Sequence, residues 1–214
     1  YFCSNLQKMT KKERAKIVMT ELEKIYPEVP IPLNHRNAYE LLVAVALSAQ
    51  TTDKKVNEVT PKLFSVAPNP EKMAALEEPE IKELIKEIGL STTKAKNLKL
   101  MANQLLERHN GEVPSNFEDL ENLAGVGHKT ASVVMSQAFG VPAFPVDTHI
   151  HRLMKQWKLT EGKNVVQTEN DAKKLFPKET WNKLHLQIIF YGREYSPARG
   201  NQERDYLTKM LFEK

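Results

Sequence analysis

A lysine and an aspartate are the residues in this sequence best suited to covalent chemistry. Lys129 stands two residues after a Gly-x-Gly turn that opens a helix, and Asp147 comes 18 residues later, after a loop with two prolines. The positive end of a helix dipole disfavours an ammonium, and nearby burial would add to this, so Lys129 is expected to offer a neutral amine. Such an amine can attack a sugar carbon and form a Schiff base. We expect the chain to fold back and set amine and carboxylate across one cleft.

Each of these residues also has a simpler interpretation. Lys129 can be a solvated lysine near a phosphate, and Asp147 can cap the helix that begins at Thr148. Capping is compatible with a catalytic role, in which the carboxylate deprotonates the lysine or stabilises a cationic sugar transition state. The sequence therefore leaves both roles open for Asp147.

The turn before Lys129 is suited to contact with a phosphate. Glycines let the backbone press its N–H groups against an anion, and a helix N-terminus favours negative charge. A Gly-x-Gly turn alone is weak evidence, because glycines also end helices. Here a short helix precedes the turn and another follows at once, which is typical of a helix-hairpin-helix unit that meets one DNA strand without reading its sequence. The predicted contact residues are Gly125, Val126, Gly127, His128 and Thr130.

The elements that would position these residues are helical in pattern. Apolar periodicity and capping residues predict helices after the capping box at 10–13, over 38–49, after residue 53, over 79–88, 93–109 and 116–122, from the hairpin to residue 140, and over 168–175 and 178–191. The residues show no convincing pair of alternating strands. The predicted fold class is all-α.

Composition limits the class of protein further. The 214 residues carry a net charge of +4 with pI near 9.0, which permits a polyanionic partner without requiring one. The only cysteine, Cys3, rules out an intrachain disulfide and a multi-cysteine metal site, and we expect a reducing, intracellular home. No apolar run reaches membrane-spanning length.

The histidines and basic residues after Asp147 do not predict a metal site. His149 and His151 are one residue apart, a spacing that turns them away from each other on a helix, so no metal site is predicted. Arg152, Lys155 and Lys158 are interpreted as a solvated basic face that can touch phosphate.

Five blocks of this sequence together resemble the endonuclease III family of base-excision-repair enzymes, in the helix-hairpin-helix glycosylase superfamily. The resemblance runs from about Ala15 to Arg193, and its blocks come in the right order. The blocks are Ser48–Asp53, Ile88–Leu90, His109–Pro114, Leu123–Ala131 and Val146–His149.

The resemblance implies two all-α lobes with a DNA-binding cleft between them. One is a six-helix barrel over 32–141, and the other combines 10–31 with 142–214. Residues 1–9 are expected to be a tail, whose first five residues resemble the remnant of a cleaved expression tag, with Met9 as a candidate native start.

The resemblance also implies roles for individual residues. Lys129 matches the catalytic nucleophile and Asp147 the catalytic aspartate. Gln50 matches the residue that fills the gap left by the extruded nucleotide, and Leu90 the apolar wedge, since an enzyme that acts on a base must take it out of the stack. Gln50 could otherwise be a capping side chain and Leu90 a core residue. Further implied DNA contacts are His149, Arg152 and Arg193, and candidate pocket residues are Ser48, Asp53 and Glu121.

Three departures from the family pattern matter. Ala124 stands where the family usually has proline, and His128 where it usually has arginine. Most members also end in four cysteines that bind a [4Fe–4S] cluster. The corresponding positions here are near Ser196, Glu203, Tyr206 and Phe212. We therefore predict no cluster and no other cofactor, a tail held by packing 206–212 as a short helix, and a basic DNA contact retained by Arg193, Arg199 and Arg204.

The predicted function is that of a bifunctional DNA glycosylase and abasic-site lyase for oxidised pyrimidines. Its partner is damaged double-stranded DNA, and a cytoplasmic, nucleoid-associated monomer in a bacterium is expected. One alternative is a noncatalytic module that recognises abasic or distorted DNA. Another is a monofunctional adenine-mismatch glycosylase, which uses no lysine nucleophile.

Overall fold

The computed structural model describes residues 8–213, and these residues form twelve α-helices, one 3-10 turn and no strand. The all-α prediction is confirmed. Cys3 and most of the expected N-terminal tail lie outside the described residues. No helix within 8–213 is long and apolar enough to cross a membrane.

The helices follow one another with short connections. They are α1 (Lys11–Ile25), α2 (Ala38–Leu47), α3 (Asp53–Val66), α4 (Pro70–Ala75), α5 (Glu78–Leu84), α6 (Ser91–His109), α7 (Phe117–Glu121), α8 (His128–Phe139), α9 (Thr148–Gln156), α10 (Val165–Leu175), α11 (Trp181–Glu194) and α12 (Tyr206–Phe212), with the 3-10 turn at Lys178–Thr180 before α11.

Polar side chains start most of these helices. The predicted capping box is present at α1, where Thr10 Oγ1 accepts from Glu13 N at 3.2 Å and the Glu13 carboxylate accepts from Thr10 N at 2.6 Å. The helices α2, α4, α7 and α10 begin after asparagine caps, and Thr52 caps α3. Each cap satisfies an N–H that the helix itself cannot.

The chain divides into two compact units, Ile31–Ala143 and the combination of Tyr1–Pro30 with Phe144–Lys214. In the first unit α2 is buried on nearly all sides and packs against α3, α6 and α8. The long helix α6 also packs against α4 and α5, and α7 packs against α8. In this unit α6 and α8 therefore hold the loops that carry the candidate site.

In the second unit α1 packs against α11 and α12, and α9 packs against α10 and α11. Its core includes the fully buried side chains of Phe144, Trp157 and Tyr191. The short C-terminal helix expected over 206–212 is present as α12, and its Leu207 and Leu211 side chains are buried.

The helices differ from the predicted ones in several places. The six-residue helix α4 was not predicted, because a helix this short shows little periodicity. The helix expected over 79–88 ends at Leu84, where the Ile85 N–H bonds to both Ile81 O and Lys82 O, yet Ile85 and Ile88 stay buried. The helix expected over 178–191 starts as a 3-10 turn and continues as α11 to Glu194.

Candidate active site

A tight hairpin joins α7 to α8. The Leu123 N–H donates to Leu120 O at 3.1 Å and the Val126 N–H to Leu123 O at 3.2 Å, which closes two successive turns. Gly125 has φ +75°, and a Cβ at this position would lie 3.1 Å from Asn97 Cβ. Both the left-handed backbone and the close approach of α6 therefore require glycine here.

The hairpin is anchored from two sides. The Val126 side chain is 7% exposed and its N–H bonds within the turn, so both groups are engaged inside the protein rather than presented outward. From α6, Gln104 Oε1 accepts a hydrogen bond of 2.8 Å from the Ala124 N–H. Ala124 thus keeps a bonded N–H that proline could not supply at this position.

The N-terminus of α8 has no side-chain cap. Its N-cap residue is Gly127, which offers no side-chain acceptor to the first N–H groups of the helix. His128, Lys129 and Thr130 are the first residues of the helix, and no acidic side chain stands in its first turn. This end of α8 is suited to an anion, because its N–H groups and its dipole both favour negative charge.

Lys129 projects from this first turn and its side chain is exposed. Burial of the amine, which would have added to the effect of the helix dipole, is therefore not present. Asp147 belongs to the other compact unit. Its pairing with the Lys129 amine across one cleft stays a prediction.

His128 pairs with Glu121 across the hairpin. Its Nδ1 lies 2.7 Å from Glu121 Oε1, and its ring stacks on Phe117 with 5.5 Å between centroids. These contacts orient the imidazole at the start of α8. They also direct the Glu121 carboxylate, a candidate pocket group, toward the hairpin.

Gln50 and Leu90, the two residues matched to gap filling, share an unusual backbone. Gln50 has φ +57° and Leu90 has φ +61°, both in the left-handed region that residues other than glycine rarely adopt. The Leu90 side chain is 58% exposed, so its interpretation as a core residue is wrong. Gln50 is exposed and Thr52 caps α3, so the capping interpretation of Gln50 is also wrong.

The two remaining pocket candidates lie at the two ends of the loop that carries Gln50. Ser48 ends α2 and its Oγ donates to Val45 O at 2.7 Å, which fixes its hydroxyl on the helix. Asp53 is the first residue of α3 and is half-buried. Both residues help define the loop geometry.

Asp147 caps α9 as the sequence predicts. Its Oδ1 accepts a hydrogen bond of 2.8 Å from the Ile150 N–H, and its side chain is half-buried. This bond fixes one carboxylate oxygen. The second oxygen can still serve a reacting group, because an ionised carboxylate has further acceptor positions.

The basic face predicted after Asp147 is only partly correct. Arg152 is half-buried and donates to Ser196 O at 2.5 Å and to Ser196 Oγ at 3.3 Å, so it ties α9 to the C-terminal segment instead of extending into solvent. His149 packs against Gly192, where a Cβ would lie 3.1 Å from the His149 Nδ1. Lys155 and Lys158 are exposed, as predicted for this face, and so is Arg193 on α11.

His185 on α11 is a buried group that the sequence did not single out. It is 1% exposed, its Nδ1 bonds to Trp181 O at 2.9 Å, and its Nε2 is one of the buried polar atoms within 8–213 that lack a hydrogen-bond partner. Burial lowers its pKa to about 4, against smaller opposing effects of the Trp181 carbonyl and the Asp147 charge. The only signal in the sequence is a histidine among apolar neighbours.

The C-terminal residues do not fit an iron–sulfur cluster. The sequence offers Ser196, Glu203, Tyr206 and Phe212 where thiolates would be needed, and the described residues hold no group of three or more histidine, cysteine, aspartate or glutamate side chains that could bind a metal.

Side-chain hydrogen bonds hold the C-terminal segment after α11 in place. Tyr191 Oη donates to Asp205 Oδ1 at 2.7 Å and accepts from the Leu207 N–H at 3.0 Å. The other carboxylate oxygen of Asp205 accepts from Gln156 Nε2 at 2.7 Å and from Thr208 Oγ1 at 2.9 Å. The carboxylate therefore occupies the centre of the C-terminal segment, 3% exposed.

Comparisons with known proteins agree with this geometry. Residues 43–178 match the HhH-GPD superfamily of base excision DNA repair proteins. Endonuclease III of Haemophilus influenzae is 44% identical over 191 residues, which are 89% of this chain and 90% of that protein.

Two solved structures are also similar. A non-covalent complex of endonuclease III with DNA has a TM-score of 0.89 at 38% identity and covers 96% of this chain and 100% of its own. A trapped covalent intermediate of endonuclease III with DNA has a TM-score of 0.87 at 40% identity, covering 91% of this chain and 92% of its own.

Proposed function

This chain belongs to the endonuclease III family of helix-hairpin-helix base-excision-repair proteins, and we propose that Lys129 is the nucleophile of its glycosylase and lyase reactions. The function is that of a DNA glycosylase with abasic-site lyase activity. The observation that carries the proposal is the uncapped N-terminus of α8, which is suited to a DNA phosphate and has Lys129 in its first turn.

The reaction follows from an amine at this position. The Lys129 amine attacks C1′ of the damaged nucleotide, the glycosidic bond breaks, and the base leaves with the bonding electron pair and takes up a proton. Opening of the sugar gives a Schiff base between Lys129 and C1′. Loss of a C2′ proton then expels the 3′ phosphate by β-elimination, which cuts the strand. Asp147 is proposed to accept the amine proton and to stabilise the cationic sugar.

The substrate must leave the stack before Lys129 can reach it. Gln50 and Leu90 are proposed to occupy the gap, and their exposed positions on left-handed turns support this role. Damaged duplex DNA is the partner, and oxidised pyrimidines are the proposed lesions. The remaining proposed DNA contacts are Gly125, Gly127, His128 and Thr130 at the hairpin, together with His149, Arg193, Arg199 and Arg204.

None of these steps requires a cofactor, and we propose that the protein works without an iron–sulfur cluster. The Tyr191–Asp205 network supports this, because it organises the C-terminal segment with side chains alone. Its relative from Haemophilus influenzae is bacterial, which supports a cytoplasmic protein that acts on the nucleoid. One copy of the chain contains both Lys129 and Asp147, so we propose that the protein acts as a monomer.

Borohydride trapping tests the proposal. The protein is incubated with duplexes that carry an abasic site or thymine glycol, and covalent adducts are separated by gel electrophoresis. We expect wild-type protein to form an adduct on both duplexes, Lys129→Ala to form none, and Asp147→Asn to form it much more slowly. Lys96→Met, which changes an exposed lysine on α6, is the control and should trap normally.

Two results would contradict the proposal. If the protein binds the abasic duplex but yields neither adduct nor nick, it is a noncatalytic recognition module. If it removes adenine from a mismatch without forming an adduct, it belongs to the monofunctional branch.

A further inference from the structure

A buried lysine on α6 connects the two turns that carry Gln50 and Leu90. The Lys94 side chain is only 8% exposed and lies on the same helix face as the buried Leu98 and Met101. A lysine in such a position needs polar partners, because burial disfavours an ammonium. Burial does lower the pKa of Lys94. Its partners are therefore informative about its role.

The partners of the Lys94 ammonium lie on both sides of Gln50. Its Nζ donates to Ala49 O at 2.6 Å and to Thr51 Oγ1 at 3.2 Å, and a third bond of 2.9 Å reaches Leu47 O at the end of α2. A positive charge at a helix C-terminus is favourable, since the last carbonyls have no partner within the helix. The same ammonium thus caps α2 and fixes the loop around Gln50.

The backbone N–H of Lys94 is bonded to the other turn, the one that carries Leu90. Its N–H donates to Leu90 O at 2.9 Å, the first hydrogen bond after the left-handed residue. The two turns also approach each other directly, because a Cβ at Gly89 would lie 3.9 Å from Thr51 Oγ1 and 4.0 Å from Gln50 O. Left-handed backbone at residues other than glycine persists only where the surrounding structure holds it in place.

We propose that Lys94 is a positioning residue that holds Gln50 and Leu90 together as one rigid element for filling the gap left by an extruded nucleotide. This inference rests on the proposed function, because it assigns a purpose to the two turns. Lys94 acts through its neighbours, so it is distinct from the nucleophile Lys129.

The helix that carries Lys94 also reaches the hairpin. Asn97, one turn further along α6, packs against Gly125, and Gln104 bonds to the Ala124 N–H. Residues 94, 97 and 104 are spaced to share one face of a helix. One face of α6 therefore positions the gap-filling turns and the hairpin together.

The test compares substrates that do and do not need a filled gap. In Lys94→Met the side chain keeps its approximate length and loses the ammonium. We expect its cleavage of an abasic site in duplex DNA to fall about tenfold, less than the roughly 100-fold that a 1 Å misplacement of a functional group can cost. Cleavage of an abasic site in single-stranded DNA, where no opposite base is left unpaired, should change less than about twofold.

A fluorescent base supplies a second measurement. With 2-aminopurine opposite the abasic site, wild-type protein should raise the fluorescence on binding, because the base opposite the lesion is unstacked. Lys94→Met should reduce this increase at saturating protein. Both measurements are made at a temperature at which circular dichroism shows every variant folded.

Lys99 provides a matched control on the same helix. Its Nζ donates to Ala74 O at 3.2 Å and to Leu76 O at 2.5 Å, so it caps the end of α4 much as Lys94 caps α2, away from the two turns. Lys99→Met should lower stability without changing the ratio of duplex to single-strand cleavage. If Lys94→Met does not fold, Thr51→Val removes one bond of the network and should shift the ratio in the same direction.

The outcomes separate this proposal from the proposed function. If Lys94→Met lowers duplex and single-strand cleavage equally and leaves the fluorescence unchanged, the positioning role is wrong while the enzyme assignment stands. If wild-type protein traps no abasic DNA at all, the enzyme assignment itself fails.

A double-variant cycle tests the link between Lys94 and Gln50. In a Gln50→Ala background, Lys94→Met should have little further effect on the duplex reaction, and full additivity of the two effects would contradict the proposal.

Discussion

The hydroxyl of Tyr191 donates a hydrogen bond of 2.7 Å to the carboxylate of Asp205, in the segment that follows α11. The same hydroxyl accepts from the Leu207 N–H and so fixes the start of α12. In this chain a buried side-chain network therefore organises the C-terminal segment.

Tyr191→Phe should destabilise the protein without changing its volume much. The substitution removes two hydrogen bonds and leaves the Leu207 N–H without its acceptor, so the free energy of unfolding should fall by about 1–3 kcal/mol. Urea unfolding measures the change. Tyr195→Phe, on the ring stacked against Tyr191, is the control, and an equal loss in both variants would argue against the network.

Purified protein should contain no stoichiometric iron. A [4Fe–4S] cluster needs thiolate ligands, and the sequence has one cysteine in all. Metal analysis and the visible absorption spectrum check this expectation. A brown protein with about four irons per chain would contradict it.

Stability should depend on pH through His185. Its pKa in the folded protein is about 4, below the value of 6.5 for a free histidine. The unfolded chain therefore binds a proton that the folded protein excludes, and stability is lost as the pH falls from 6.5 toward 4, by roughly 3 kcal/mol in total. His185→Leu should flatten this dependence in urea unfolding between pH 7 and pH 5. An unchanged slope would show that other groups cause it.

Gly125→Ala should affect both stability and DNA binding. The substitution places a Cβ at φ +75° and 3.1 Å from Asn97, so we expect a loss of at least about 1–2 kcal/mol in the free energy of unfolding and weaker binding to an abasic duplex. Gly140→Ala is the matched control, since Gly140 has φ +64° but nothing lies within 4 Å of its Cβ position. It should cost less stability and leave the DNA affinity unchanged.

His128→Arg should strengthen binding to duplex DNA. The side chain stands in the first turn of α8, and arginine carries a permanent charge with several donors for phosphate. The slope of log affinity against log salt concentration should steepen by about 0.9 if one phosphate contact is gained. Fluorescence anisotropy at several salt concentrations measures both effects. A slope equal to that of wild type would place His128 away from the phosphate backbone.

Much of the local structure could be predicted from the sequence. The capping box at Thr10, the capping role of Asp147 and the short helix after Asp205 follow from signals within a few residues, and the structure contains all three. The helix α4 was missed and the end of α5 was misplaced, because short helices owe their limits to packing more than to their own pattern.

The sequence by itself determined the all-α class, the hairpin followed by a helix with Lys129 in its first turn, and the lack of a cysteine ligand set, because each depends on residue types and short spacings. Only the tertiary structure decided that Lys94 bonds to a loop 45 residues away, that Arg152 turns inward to Ser196, and that Asp205 is buried beneath Tyr191. In each case the partners are distant in the chain. A buried charge is stabilised by whichever acceptors or donors the fold brings next to it. The residues that neighbour it in the sequence do not indicate which partners those are.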